Sequence, residues 1–194
     1  FYTGGLAAFT AVSATYTNLA NSVPIRREEG VLKRWRSTPL PTGTYIAGFV
    51  GAAIVLAFAG LVLMLGVGYV FYDLEVDLAK MPGAALSFLV GVGAFAALGM
   101  AVAALVPTAS SAAAVANATI LPLAFVSNVF IPTGDDTPGW LQTVGDIFPL
   151  KPFAEMIQDA FNPFVDAPAI SWGNLAYVAL WGVAGLLVAL KWFR

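Results

Sequence analysis

Arg26, Arg27, Lys33, Arg34 and Arg36 place five of the chain's nine cations within eleven residues, in the stretch PIRREEGVLKRWRSTPL at 24–40. Cations at this density bind anionic surfaces. They can rest on anionic lipid, where each contributes about 1 kcal/mol, or meet the carboxylates of a partner protein. Glu28 and Glu29 lie in the same patch and weaken the attraction to lipid, whereas a mixed-sign surface suits a protein. Composition excludes much other chemistry. The sequence has no Cys and no His, so it offers no disulfide framework, no thiolate nucleophile and no imidazole for metal binding or proton transfer. It holds no G-x-x-x-x-G-K-[ST] loop to cradle the phosphates of ATP.

The long apolar stretches carry only neutral polar candidates: Asn18, Asn21, Asn117, Ser127 and Asn128. Such residues mostly hydrogen-bond to neighbouring helices, at about 0.6 kcal/mol per contact, and each is a candidate to touch a substrate. No Asp, Glu, Lys or Arg lies inside these stretches, although a proton- or ion-coupled transporter buries one at membrane depth. Gly93, Ala97 and Ala101, small residues four apart, predict a packed helix face.

The elements that must position these residues are set by composition. With 59% hydrophobic and 10% charged residues and a mean hydropathy of +0.83, the sequence predicts an all-α polytopic membrane protein in a single domain, 1–194. A crossing needs about 20 apolar residues. Five segments qualify, within 2–23, 44–72, 82–106, 111–131 and 170–190, with a longer connection at 132–169.

Orientation follows from where Lys and Arg fall, because cytoplasmic loops retain them. Placing 24–40 and the C-terminus in the cytoplasm puts seven of the nine cations on that side and leaves only Lys80 and Lys151 outside. Nine of the eleven acids then fall outside. Trp172 and Trp192 bracket the last span as an interfacial belt. An odd number of spans ending inside must begin outside, and the sequence starts at Phe1 rather than Met. The expectation is therefore five spans of six, with one span upstream.

Val31, Leu32 and Trp35 fall on one side of a helical turn and charges fill the rest, so 26–36 predicts a short amphipathic helix, stopped by Pro39 and Pro41. On the outer side, Phe153, Ile157, Ala160, Phe161 and Phe164 form an apolar stripe opposite Glu155, Gln158, Asp159 and Asn162. Too short and too polar on one face to span, the helix they form lies on the outer membrane surface by its residues alone, and Phe148-Pro149-Leu150 supplies a break ahead of it.

Two motifs carry a family resemblance. RREEGVLKRWRSTPLPTGTYIAGF (26–49) resembles the segment between the second and third spans of ABC type-2 exporter permeases, the group that includes daunorubicin-resistance-like drug exporters. The matching residues are Glu29, Gly30, Val31, Leu32 and Lys33, then Thr38, Pro39 and Leu40. FIPTGDDTPGWLQTVGDIFPLKPFAEMIQDAF (130–161) is similar to that family's outer loop before its last span. The resemblance covers the whole chain and implies a coupling helix that docks on a separate ABC ATPase (nucleotide-binding) subunit. Its contacts would be Arg26, Arg27, Glu28, Glu29, Gly30, Leu32, Lys33 and Arg34, with Gly30 allowing close approach. The resemblance also implies two short re-entrant helices in the outer segment, 139–148 and 152–163, which would gate release through Phe148, Pro149, Phe153, Ile157 and Phe161.

The resemblance further implies no cofactor in this chain, ATP and Mg on the partner, a second permease copy or homologue, contact with membrane lipid but no nucleic acid, and a plasma (inner) membrane location. The expected function is ATP-driven export of a drug-like, lipid or glycan amphiphile by alternating access. The alternative is an ATP-independent secondary transporter or channel, which needs a buried charge. An intramembrane enzyme needs a nucleophile and base, a metal site or paired carboxylates at membrane depth, and these residue types are missing from the spans.

Overall fold

The computed structural model describes residues 2–31, 42–72, 79–130, 138–161, 168 and 170–192. All regular structure among them is helical. α1 (Tyr2–Val12) and α2 (Asn18–Glu28) are joined without a break by a π-helical stretch, Ser13–Thr17. There follow α3 (Thr42–Tyr72), α4 (Met81–Leu105), α5 (Ala109–Val126), α6 (Gly139–Ile147), α7 (Leu150–Ala160) and α8 (Trp172–Trp192). The protein is an all-α polytopic membrane protein. Among the described residues four helices, α3, α4, α5 and α8, are long and apolar enough to cross a bilayer. The span expected over 2–23 is helical throughout but divided, each α-helical piece being 11 residues long. Thr15 lies within the dividing stretch. Thr15 Oγ1 donates to the carbonyls of Ala11 and Val12 at 2.8 and 3.3 Å, drawing them from the regular helical ladder.

In a bilayer, helix association rests on close packing rather than on apolar burial from water, so small residues mark the seams. α8 packs most extensively against α4, where a Cβ on Gly182 would lie 2.9 Å from Ala94 Cα and one on Gly185 3.0 Å from the Leu98 backbone. The π stretch lies as close to α4, and a Cβ on Gly99 would sit 2.6 Å from the Tyr16 carbonyl oxygen. The packed face expected from Gly93, Ala97 and Ala101 is thus displaced around the helix. Gly93 opens onto free space, Ala97 edges the α8 seam, and Ala101 lines a cavity.

These pairings fix helix directions. Tyr16 sits beside Gly99 while Arg27 reaches Val106, so α1–α2 runs with α4, as does α8. α3 runs against them, with Gly60 beside Thr10 and Phe49 beside Arg26. α5 also runs against them, with Ala109 at Glu28 and its far end at the α6–α7 hairpin. The core gathers where Leu150, Phe153 and Ile157 of α7 meet Val92 and Phe95 of α4 and Ala8 and Val12 of α1.

Two expectations need correction. The charged stretch does not begin a new helix at 26: α2 continues through Pro24 to Glu28, and Gly30 ends it at φ 71°. Its N–H bonds the Arg27 carbonyl at 3.2 Å, one bond of a Schellman-type cap. A Cβ on Gly30 would meet nothing within 4 Å, so the glycine serves the backbone conformation here. The second correction concerns Gln158, which was assigned to the polar face of α7. It is buried, donates to the Asn128 carbonyl at 2.8 Å, and lies against Gly4 and Gly5. Its amide hydrogen bond is what permits burial at that site.

Candidate functional site

At one end of the bundle, three consecutive side chains in the last turn of α2 hold three different helices. The Arg26 guanidinium lies 4.4 Å over the Phe49 ring of α3. Arg27 donates to the carbonyls of Ala103 at 3.3 Å and Pro107 at 2.9 Å, and also to that of Val106, so a cation closes the C-terminus of α4. Glu28 Oε1 accepts the Ala109 N–H at 2.7 Å, which places an anion at the N-terminus of α5. Thr108 caps the same terminus by accepting the Ser111 N–H. Of the other coupling candidates, Glu29 is exposed and Gly30 stops the helix, whereas Leu32, Lys33 and Arg34 lie outside the described residues.

The opposite end is built by the α6–α7 hairpin. Phe148 is extended, with φ −91° and ψ 146°, and Pro149 starts α7, so the predicted break falls where expected and α7 begins at Leu150 rather than at 152. The hairpin turns deep in the bundle. Phe148 stacks on Trp181, nine residues along α8 from its first residue Trp172. Phe153 contacts Phe95 at 5.7 Å between ring centroids and fills the space over Gly91, where a Cβ would lie 2.1 Å from its ring. Phe153, Ile157 and Phe161 are all buried. Lys151 is salt-bridged to Asp146 across the turn, and the Tyr177 hydroxyl donates to the Ile147 carbonyl at 2.6 Å. Burial pushes the Glu155 carboxyl above the usual carboxylate range, partly opposed by Lys151, and Asn174 hydrogen-bonds it. Burial likewise raises Asp159, opposed by Lys80.

Between the two ends lies a cavity of about 340 Å³, walled by the π stretch, α4, α5 and α8. Its lining is apolar except for the Trp181 indole N–H, Tyr16 and Thr119, and the Thr119 hydroxyl donates to the Val115 carbonyl at 2.6 Å. Phe148, Pro149 and Leu150 close one end, and Val102 and Leu105 lie toward the Arg27 end. A space of this character accommodates an apolar group with one hydrogen-bonding function.

The five polar candidates are not brought together. Asn18 and Asn21 lie a turn apart on α2, Asn117 is on an exposed face of α5, and Ser127 and Asn128 form the turn beyond that helix. Asn21 Oδ1 and Ser127 Oγ are buried without a partner among the described residues, as is Thr17 Oγ1. Asn128 adopts φ 62° and its carbonyl receives Gln158. Residues the sequence reading missed include Tyr16, Thr119 and Trp181. Trp181 did carry a signal, since a tryptophan in mid-span lies away from the interfacial belts.

The fold and these two ends define a multi-pass permease domain. The chain belongs to the ABC-2 type transporter family, whose family model matches residues 1–162. Comparison with curated proteins gives no match.

Proposed function

We propose that this chain is the membrane-spanning permease subunit of an ATP-driven exporter, which moves a drug-like, lipid or glycan amphiphile out of the cytoplasm by alternating access. Hydrolysis takes place on a separate ATPase subunit with its own ATP and Mg, and the permease works beside a second copy or homologue in the plasma (inner) membrane. The observation that carries the reading is the arrangement of the ends of one bundle: a cationic segment leaves α2 at one end, and a hairpin turns against Trp181 of α8 at the other. An apolar cavity lies between them. Family membership supplies the transport class.

In this reading 24–40 faces the cytoplasm, and Glu29, Leu32, Lys33 and Arg34 meet the ATPase. Phe148, Pro149, Phe153, Ile157 and Phe161 hold the outer gate. Asn21 and Ser127, with buried unpaired oxygens, are the polar residues best placed to respond to a passing ligand.

The test is capture of the ATPase of its gene neighbourhood by the full-length protein, with ATP hydrolysis followed in nanodiscs. The expected result is capture by wild type and release by the charge-reversed double variant Glu29→Lys, Arg34→Glu. Absence of any ATPase on the wild-type protein overturns the reading.

A further inference from the structure

The sequence groups Arg26, Arg27 and Glu28 with the ATPase-docking residues. Their geometry is different: each is committed to another helix of its own chain. Arg27 spends its forked donors on the carbonyls of Ala103, Val106 and Pro107, and Glu28 spends one carboxylate oxygen on the Ala109 N–H. Together they straddle the short corner between α4 and α5, with a cation at the end of one helix and an anion at the start of the next. Two residues further on, Gly30 turns the chain at φ 71° into the charged segment.

A guanidinium fork held on three carbonyls resists both translation and rotation, which a single point charge does not. Displacement of the segment beyond Gly30 therefore pulls on α2, and α2 carries the α4–α5 corner with it. Those helices wall the cavity at Val102, Leu105, Val115 and Thr119.

We propose that Arg27 and Glu28 are positioning residues that transmit movement of the coupling segment to the α4–α5 corner, and are not contacts for the ATPase. The inference rests on the exporter reading above, because it assigns the route by which ATPase closure reaches the cavity.

The experiment uses the full-length protein with its ATPase in nanodiscs. Residues 1–194 lack cysteine, and with any cysteine elsewhere in the complex replaced, spin labels on Ala114→Cys of α5 and Leu187→Cys of α8 report the two introduced thiols. Both sites are exposed. ATP with orthovanadate is the probe. In the otherwise wild-type protein, trapping shifts the label distance. In Arg27→Ala and Glu28→Ala the ATPase is still captured and hydrolyses ATP, but the population reaching the shifted distance falls about tenfold, within the range usual for coupling between sites.

Two conservative variants separate this role from simple docking. Glu28→Gln keeps an oxygen that accepts the Ala109 N–H and retains the shift, whereas a docking charge would be lost. Arg27→Lys keeps the charge but not the fork and loses the shift. Detergent melting identifies any variant that fails to fold, and the glutamine and lysine pair then decides. Loss of ATPase capture in Glu28→Gln, or a full shift in Arg27→Ala, overturns the inference while the exporter reading stands. A wild-type protein that captures no ATPase removes both.

Discussion

Phe148 stacks on Trp181, with ring centroids 6.1 Å apart and planes inclined by 25°. This contact joins the tip of the α6–α7 hairpin to the middle of α8 and closes one end of the apolar cavity. An offset aromatic pair contributes about 0.5–1.5 kcal/mol beyond its buried area. Trp181→Ala is therefore expected to lower the melting temperature in detergent and to raise leakage of a small apolar dye past the hairpin in proteoliposomes. Trp181→Phe keeps the stack and should behave as wild type in both assays.

Gly91 and Phe153 form a second anchor for the hairpin. A Cβ at Gly91 would lie 2.1 Å from the Phe153 ring, which is itself fully buried, so Gly91→Ala must displace the ring. Overpacking of this kind costs about 1–3 kcal/mol. Thermal unfolding should show that loss, and Phe153→Leu in the same protein should recover part of it. Gly93→Ala, on the open face of the same helix, should leave stability unchanged.

Gly30 ends α2 in the left-handed region, with φ 71°. For a residue with a Cβ this conformation costs roughly 1–2 kcal/mol. Gly30→Ala is expected to weaken ATPase capture by re-aiming the segment that follows, and Gly30→Asn, which tolerates the conformation, should be milder. Equal capture by wild type and the alanine variant would show that the turn does not set the segment's direction.

Glu155 predicts a pH dependence. Burial raises its folded carboxyl above the ordinary value of 4.5, so the folded protein holds a proton that the unfolded chain releases. The group's contribution to stability is present below the ordinary value and is lost as pH rises through the raised one. Glu155→Gln removes that slope. At pH 8 the variant should melt above wild type, and the two curves should converge under acidic conditions. A variant that melts lower at pH 8 would show that the Lys151 pairing outweighs burial.

Much of this architecture was legible because spans are written in hydropathy and helix breaks in proline. The Phe148-Pro149 break and the alternating helix directions follow from local signals, and the pair of outer helices from the family resemblance. What failed depended on which neighbour a residue would meet. Gln158 reads as polar and surface-facing until the glycine pair Gly4 and Gly5 makes room for it and Asn128 offers a carbonyl. The bonds of Arg27 and Glu28 were out of reach for the same reason, since their acceptor and donor, the backbone of the α4–α5 corner, lie some eighty positions away. The glycines of the α4–α8 seam were missed for a similar reason. Gly182 and Gly185 look ordinary in an apolar helix, and only the closeness of Ala94 and Leu98 gives them purpose.

The π-helical stretch at Ser13–Thr17 makes the first helical run two rods with a collar between them. The first rod is keyed to the hairpin where Gly4 and Gly5 meet Gln158, and the second is bolted to the α4–α5 corner by Arg27 and Glu28. Tyr16, in the collar itself, lines the cavity. Whatever fills the cavity therefore lies against the joint between the two rods.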